Sequence, residues 1–241
     1  MGMKREELVG SGRIQFEDLG VVHFVVRSQA RRFTAMWKTG ELQLTVPPRV
    51  SEEEFRNVLR EMKPLLLEKK PVGKKYYLGQ VIDAGEFKVA IEGQETNSNC
   101  IQARRCKSGW VLYVPDGRDI SDWGVVRAIS DMLRKIAAAE APSVLIPRAR
   151  ALAAKVGRQP IGWTIGKGRR TLGQCDSQGC ISLSSLLVYY PQELRDYVIY
   201  HELAHLSEMN HSARFHELCD SYCGGREREL EARLKAYKLP V

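Results

Sequence analysis

The amino-acid sequence predicts an α+β protein, with strands in its first half and helices in its second. Short β-rich segments follow one another between residues 21 and 114. Beyond residue 119, longer segments are typical of helices, and they include a histidine-rich helix. We therefore divide the chain into a β-rich N-terminal region with one helix, residues 1–118, and a helical region, residues 119–241.

The first strands and the first helix have clear boundaries in the sequence. Strands are predicted at residues 21–26, 32–37 and 41–46, and Lys38-Thr39-Gly40 is a hairpin turn between the last two. Ser51 and the three glutamates after it indicate a helix N-terminus, because the serine hydroxyl caps the helix and acidic side chains favour its positive end. Apolar residues at helical spacing extend this helix to Leu66.

Further strands and three more helices complete the expected order. The strands are predicted at residues 76–82, 87–92, 99–104, 109–114, 161–165 and 181–184. A second helix begins near Asp119 and ends before Pro142, because a proline inside a helix removes a hydrogen bond and clashes with the preceding turn. A third covers residues 144–156, and a fourth has Pro191 in its first turn.

Composition and charge set limits on the location and partners of the protein. No apolar run approaches the roughly 18 residues that span a membrane, and the charged N-terminus lacks a secretion signal. We expect a cytoplasmic protein with reduced cysteines and no membrane partner. The net charge of +8 makes nucleic acid a candidate partner, but an ordinary basic, solvated surface is the preferred interpretation. No zinc-finger spacing or aromatic RNP pattern accompanies that charge.

The segment His201-Glu202-Leu203-Ala204-His205 has the His-Glu-x-x-His spacing of a zinc-binding helix. Histidines four residues apart lie one helical turn from each other, so both imidazoles can bind one cation. Glu202 lies about 100° around the helix from His201, which places its carboxylate beside the metal rather than on it. From there Glu202 can accept a proton from the attacking water and deliver it to the leaving amine.

The position of the two histidines on their helix favours a metal site. They continue the apolar face that Leu194 and Val198 begin. Buried imidazoles without partners are costly, and a metal ion supplies a partner. The alternative is a pair of hydrogen-bonded core histidines beside an incidental glutamate.

A zinc site with one open position needs a third protein ligand. We predict His211, because Asn210 before it tolerates the left-handed conformation in which the helix can end and the chain can turn back. A glutamate on the C-terminal helix is the rival ligand, and the candidates are Glu227, Glu229 and Glu231.

Other residues near the motif have less certain roles. His216 is a ligand, a hydrogen-bond donor to the transition state or a surface residue, and we favour the last interpretation. His23, alone in a predicted strand, is interpreted as structural. The tyrosines to consider as oxyanion donors are Tyr197, Tyr200 and Tyr222.

The residues around the motif form a longer pattern. It runs from Tyr197 to Leu206, continues through Asn210-His211-Ser212 and Phe215, and extends upstream to other short stretches. Those stretches are Ile146-Pro147-Arg148-Ala149, Gly173, Cys175, Gly179-Cys180-Ile181-Ser182-Leu183 and Tyr190-Pro191. The pattern resembles the YgjP-like family of predicted zinc metallopeptidases, which is related to the SprT-like and WLM-type peptidases. The specific part covers residues 145–218, and looser similarity extends over the β-rich first half.

The resemblance implies a minimal gluzincin-like catalytic core, with His201, His205 and His211 as zinc ligands and Glu202 as the catalytic acid/base. It also implies that the strand near residues 180–185 lies along the cleft, where it can pair with an extended substrate backbone.

Two positions depart from the family pattern. Leu172-Gly173-Gln174-Cys175 stands where the family usually has Trp-Gly-Ser-Cys, and His216 stands where it usually has Trp. Neither departure affects a predicted ligand or Glu202, so substrate preference is the property that we expect to differ.

Four cysteines are candidates for a second, structural zinc site: Cys175, Cys180, Cys219 and Cys223. Their spacings are looser than the usual Cys-x2-Cys pairs, so ordinary buried thiols are the preferred interpretation.

The sequence therefore predicts a zinc-dependent metallopeptidase of the endopeptidase type, with one Zn²⁺ per chain and a protein or peptide as substrate. The main alternative is a zinc-stabilised basic module that binds nucleic acid or a partner protein without catalysis. A hydrolase of small amides is a further alternative, because the same zinc and glutamate chemistry serves both reactions.

Overall fold

The computed structural model describes residues 7–38, 41–69, 75–96, 98, 100–168 and 171–241. The fold is mixed α+β with a β-rich N-terminal half, as predicted. The chain forms two compact units, Met1–Gly73 and Lys74–Val241. This boundary differs from the sequence-based division after residue 118, because the strands between residues 81 and 115 share one buried core with the helices that follow them.

In its described residues, the first unit is a four-stranded sheet with one α-helix. The strands are β1 (Ser11–Phe16), β2 (Gly20–Val26), β3 (Thr34–Lys38) and β4 (Glu41–Val46), in the order β1-β2-β4-β3. Helix α1 (Glu52–Glu68) begins after Ser51, whose hydroxyl accepts a hydrogen bond from the N–H of Glu54 at 3.2 Å. The predicted cap is therefore confirmed. Phe55 and Leu59 of α1 are fully buried with the apolar side chains of the sheet.

The predicted hairpin between β3 and β4 falls partly outside the described residues. The two strands pair antiparallel, with Lys38 opposite Glu41. The turn residues Thr39 and Gly40 themselves are not among the residues that the structure describes.

The second unit contains two sheets in the part of the chain described. The first has the order β5-β6-β8-β7, from β5 (Val81–Asp83), β6 (Lys88–Gln94), β7 (Gln102–Cys106) and β8 (Gly109–Pro115). The second has the order β10-β11-β9, from β9 (Gly162–Gly166), β10 (Gly173–Cys175) and β11 (Cys180–Ser184). Because β11 pairs antiparallel with β10 and parallel with β9, it is the central strand.

The helices of the second unit are α2 (Trp123–Lys155), α3 (Gln192–His205), α4 (Ala213–Tyr222) and α5 (Glu227–Ala236), and a 3-10 segment at Ser185–Tyr189 precedes α3. Helix α3 is central to this unit, since it contacts α2, α4, α5, β10 and β11. Leu203 and Ala204 on α3 are fully buried. None of the described helices is both long and apolar enough to span a membrane.

The predicted helix break at Pro142 is wrong, because α2 continues through both Pro142 and Pro147. Ala137 and Ala141 before the break point and Leu145 after it are all buried in the same core. A proline inside a helix costs about 3 kcal/mol. Burial of apolar side chains on both sides of the proline offsets this cost.

Candidate metal centre

The histidine-rich helix ends earlier than the sequence predicts. Helix α3 ends at His205, and Asn210 is not among the described non-glycine residues with positive φ. The expected left-handed stop at Asn210 is therefore wrong. The N–H groups of Ser207 and Glu208 donate to the carbonyl of Ala204 at 3.0 and 3.1 Å, so the chain leaves the helix in a tight turn.

The turn brings His211 back to the two histidines of α3. The side-chain nitrogens that His201, His205 and His211 offer as ligands all lie within 4.8 Å of one another. Nε2 of His201 and Nε2 of His211 are 3.0 Å apart. Two imidazole nitrogens at this distance need a proton or a metal ion between them, because their lone pairs repel.

A backbone carbonyl orients the second histidine. The Nδ1–H of His205 donates to the carbonyl oxygen of Glu208, at 3.0 Å. This hydrogen bond leaves the lone pair on Nε2 free, which is the arrangement usual for a metal-binding histidine.

Burial favours the neutral form of the two imidazoles on α3. It lowers the pKa of His201 to about 4, with smaller contributions from His205 and His211, and it also lowers the pKa of His205. Neutral imidazole is the form that binds metal ions. Three convergent imidazoles suit zinc, which often uses three protein ligands and keeps a fourth position open. The residues therefore fit the metal that the motif implies.

Phe215, the third residue of α4, packs against all three histidines. Its ring centroid lies 4.9 Å from that of His201, 4.5 Å from that of His205 and 4.7 Å from that of His211. The side chain is fully buried. In the sequence Phe215 is prominent only as part of the family resemblance. The available signal is its position three residues after Ser212, whose hydroxyl caps α4 by accepting a hydrogen bond from the N–H of Phe215.

The rival glutamate ligands have other partners. Glu227 lies 2.8 Å from Nδ1 of His216, and Glu229 lies 2.8 Å from Arg226. Glu231 lies 2.7 Å from Lys235. Within the described residues, the potential ligand group contains the three histidines and none of these glutamates.

His216 and His23 lie outside the ligand group. The side chain of His216 is 53% exposed, and its ring centroid is 6.3 Å from that of His211. It combines the exposure of a surface residue with a buried carboxylate partner, Glu227. Nε2 of His23 lies 3.0 Å from Glu41, within the first unit.

The side chain of Glu202 lies against β10, at Gly173, and is not part of the group of three ligand nitrogens among the described residues. It is 5% exposed, and burial raises its pKa to about 7, although a hydrogen bond from the backbone N–H of Cys175 opposes the rise. The expectation that the strand at 180–185 pairs with substrate is wrong, because β10 and β9 occupy both edges of β11. The strand beside Glu202 is β10, which the sequence analysis did not identify.

The candidate oxyanion donors and the cysteines add no second site. Tyr197 and Tyr200 are buried, and the hydroxyl of Tyr222 accepts a hydrogen bond from Nε of Arg158 at 2.7 Å. These positions single out no tyrosine. All six cysteines are free thiols, and among the described residues they form no group with the spacing of metal ligands.

Comparison with known proteins identifies the family. The profile of a family described as "YgjP-like, metallopeptidase domain" matches residues 31–237 of the chain. The chain belongs to the YgjP-like family. The resemblance that the sequence indicates is thereby confirmed, and this YgjP-like chain is a member of a metallopeptidase family.

A solved structure is also similar to this YgjP-like chain. It is the metallopeptidase zymogen of abylysin from Pyrococcus abyssi, with 22% sequence identity and a TM-score of 0.33. The similarity covers 36% of this chain and 89% of that chain. Curated protein sequences gave no match.

Proposed function

We propose that the protein is a zinc-dependent metallopeptidase in which His201, His205 and His211 hold one zinc ion. The observation that carries the proposal is the convergence of three imidazoles whose nitrogens lie within 4.8 Å of one another. Membership of a metallopeptidase family supports it. The region around α3 then forms the minimal gluzincin-like core that the resemblance implies, within the predicted catalytic region at residues 119–241.

The chemistry divides between the metal and Glu202. Zinc, when bound, polarises the scissile carbonyl and lowers the pKa of water to about 7. Glu202, with a pKa near 7, changes its protonation state near neutral pH. Its carboxylate accepts the proton of the attacking water and returns it to the leaving amide nitrogen, as a general base and then a general acid.

The surrounding residues hold the ligands ready. The carbonyl of Glu208 fixes the ring of His205, and Phe215 packs on all three rings. Both interactions restrict side-chain motion before the metal arrives, so less conformational entropy is lost on binding. Pre-organisation of this kind raises metal affinity.

The substrate is a peptide bond within a protein or peptide, and endopeptidase activity is the form that we propose. Cleavage of internally quenched peptides that are blocked at both ends tests this form against hydrolysis of small amides. The non-catalytic alternative depends on the net charge of +8. Salt-dependent DNA binding by the metal-free protein would favour that alternative.

Elemental analysis of purified protein tests the metal site. We expect one zinc ion per chain in the wild type and in Glu202→Gln, and loss of zinc in His201→Ala and His211→Ala. His23→Ala is the matched control, because it removes an imidazole of the first unit, and it should retain zinc. Zinc retained in His211→Ala would transfer the third ligand to a glutamate. A wild type purified without chelator and free of zinc would contradict the proposal.

A further inference from the structure

The short strand β10 is held firmly beside Glu202. On one side it pairs with β11, where Gly173 lies opposite Leu183 and Cys175 opposite Ile181. The N–H of Ser184 donates to the carbonyl of Leu172 at 2.8 Å, just before the strand. On its other side β10 contacts α3. The backbone of β10 is therefore fixed in position, and a side chain of α3 can pack against it.

The carboxylate of Glu202 packs directly against this backbone at Gly173. A Cβ atom added to Gly173 would lie 2.5 Å from Oε1 of Glu202, 2.6 Å from its Cγ and 2.8 Å from its Cδ. All three distances are far below van der Waals contact, which is about 3.5–4.0 Å between carbon atoms. No side chain fits at residue 173 while Glu202 keeps this position.

The neighbouring residue supplies a hydrogen bond to the same carboxylate. The backbone N–H of Cys175 donates a hydrogen bond to the Glu202 carboxylate. A buried carboxylate needs such a partner, because an unpaired polar group in the interior is costly. Gly173 and Cys175 therefore both affect the Glu202 carboxylate. Gly173 leaves room for it because glycine has no side chain, and Cys175 donates a hydrogen bond to it from its backbone N–H.

Backbone conformation does not explain the glycine. Gly173 is not among the described glycines with positive φ, so its conformation is open to any residue. A glycine inside a strand loses more conformational entropy than other residues and has no side chain to pack. Such a glycine often marks the close approach of another group, and here that group is the Glu202 carboxylate.

We propose that Gly173 is a positioning residue for Glu202, and that β10 fixes the acid/base through the space at Gly173 and the N–H of Cys175. The inference rests on the proposed function, because it assigns the acid/base role to Glu202. A side chain at residue 173 displaces the carboxylate and leaves the three histidines in place, since none of them lies on β10. The result is a slow enzyme that still binds zinc.

Thermal unfolding tests the contact without any need for turnover. We expect Gly173→Ala to lower Tm by about 5 °C in the wild-type background, because overpacking is destabilising. The same loss is expected in Glu202→Gln, whose side chain has the same size. In Glu202→Ala the substitution should lower Tm by less than about 1 °C, because the colliding carboxylate is absent.

Gly162→Ala is the matched control for both measurements. Gly162 lies on β9 of the same sheet, and an added Cβ would meet only Sγ of Cys180, at 3.5 Å, an ordinary contact. We expect Gly162→Ala to change Tm equally in the wild-type and Glu202→Ala backgrounds. Equal losses of Tm for Gly173→Ala in the wild-type and Glu202→Ala backgrounds would overturn the proposal.

Steady-state kinetics test the positioning role. We expect Gly173→Ala to lower kcat about 100-fold with KM and zinc content unchanged, since a misplacement of about 1 Å in a catalytic group has this effect. Gly162→Ala should stay within about twofold of the wild type. A Gly173→Ala variant with wild-type kcat would overturn the proposal.

Two further outcomes are decisive. If Gly173→Ala is recovered only as insoluble protein, soluble folded protein in the double variant with Glu202→Ala supports the contact, and continued insolubility overturns it. If the wild type cleaves no peptide, the proposed function fails, and the unfolding measurements still decide whether Glu202 rests on Gly173.

Discussion

Glu202 and its neighbours His201 and His205 belong to one turn of helix, yet they meet two different surroundings. The histidines face side chains, namely His211 and the ring of Phe215. Glu202 faces backbone, at Gly173 and Cys175 of β10. The surroundings of the two histidines can therefore be altered by side-chain substitution. The surroundings of the Glu202 carboxylate depend on the absence of a side chain at Gly173 and on the N–H group of Cys175.

Burial shifts the pKa of both kinds of side chain, in opposite directions. Burial lowers the pKa of His201 to about 4 and raises that of Glu202 to about 7, because in each case it disfavours the charged form. For a histidine this provides a lone pair for a metal ion. For a glutamate it provides a group that exchanges a proton near neutral pH. The proposed ligand and the proposed acid/base on this helix turn therefore have pKa shifts of opposite sign with one physical cause.

The largest expected effect is that of Glu202→Gln, which separates the role of Glu202 from that of the three histidines. Glu202→Gln should lower the rate of peptide cleavage about 1000-fold while zinc content stays at the wild-type value, because an amide cannot accept the proton. Cleavage of a quenched peptide at saturating substrate measures the rate. Glu208→Gln is the control, because its carbonyl contacts His205 while its carboxylate pairs with Arg214. Wild-type turnover by Glu202→Gln would remove this residue from the mechanism.

Removal of the metal tests the three proposed histidine ligands independently of Glu202. Zinc at about 100-fold excess over its Kd stabilises the folded state by about 2.7 kcal/mol. A chelator should therefore lower Tm by about 5–10 °C in the wild type and equally in Glu202→Gln. Differential scanning calorimetry measures the shift. His201→Ala should show no shift with chelator, and a shift of wild-type size there would contradict the assignment of His201 as a ligand.

The packing of Phe215 on the histidines predicts a smaller effect on metal affinity. Phe215→Leu should raise the Kd for zinc about tenfold, since the rings lose a neighbour that orients them. Competition with a chromophoric chelator measures the Kd. Phe55→Leu is the control, because Phe55 is equally buried and belongs to the apolar cluster of the first unit. Equal zinc affinities in the two variants would mean that Phe215 only fills space.

The smallest expected effect concerns His216, which lies outside the group of three proposed ligands. His216→Ala should keep zinc and lower the free energy of unfolding by about 1–2 kcal/mol, because the buried carboxylate of Glu227 loses its partner. Urea unfolding measures this loss. Adding Glu227→Gln should recover part of it. Loss of zinc in His216→Ala would instead place this histidine among the ligands.

The sequence predicts features that depend on local chemistry. The capping hydroxyl of Ser51 and the strands around Phe24, Leu44 and Ile91 follow from residue types and spacing, and the structure contains them. The convergence of His201 and His205 follows from helical geometry. Each of these features involves residues within a few positions of one another.

Features that depend on distant partners were missed. Pro142 lies inside α2 because the core holds the helix on both sides of it. Strand β10 has only three residues, without an alternation of apolar and polar side chains, and pairing with β11 creates it. The central position of β11 is equally invisible, since strand order is decided by which edges meet in the folded chain.

The 3.0 Å approach of His201 and His211, ten residues apart, gives an occupied metal centre a mechanical role. Coordination there closes a short ring of chain between the end of α3 and the start of α4. Closing a ring of this size removes many conformations from the unfolded chain. The amide protons of α4 and α5 should therefore exchange with solvent more slowly in the zinc-loaded protein, so that the C-terminal segment reports metal occupancy from outside the group of three histidines.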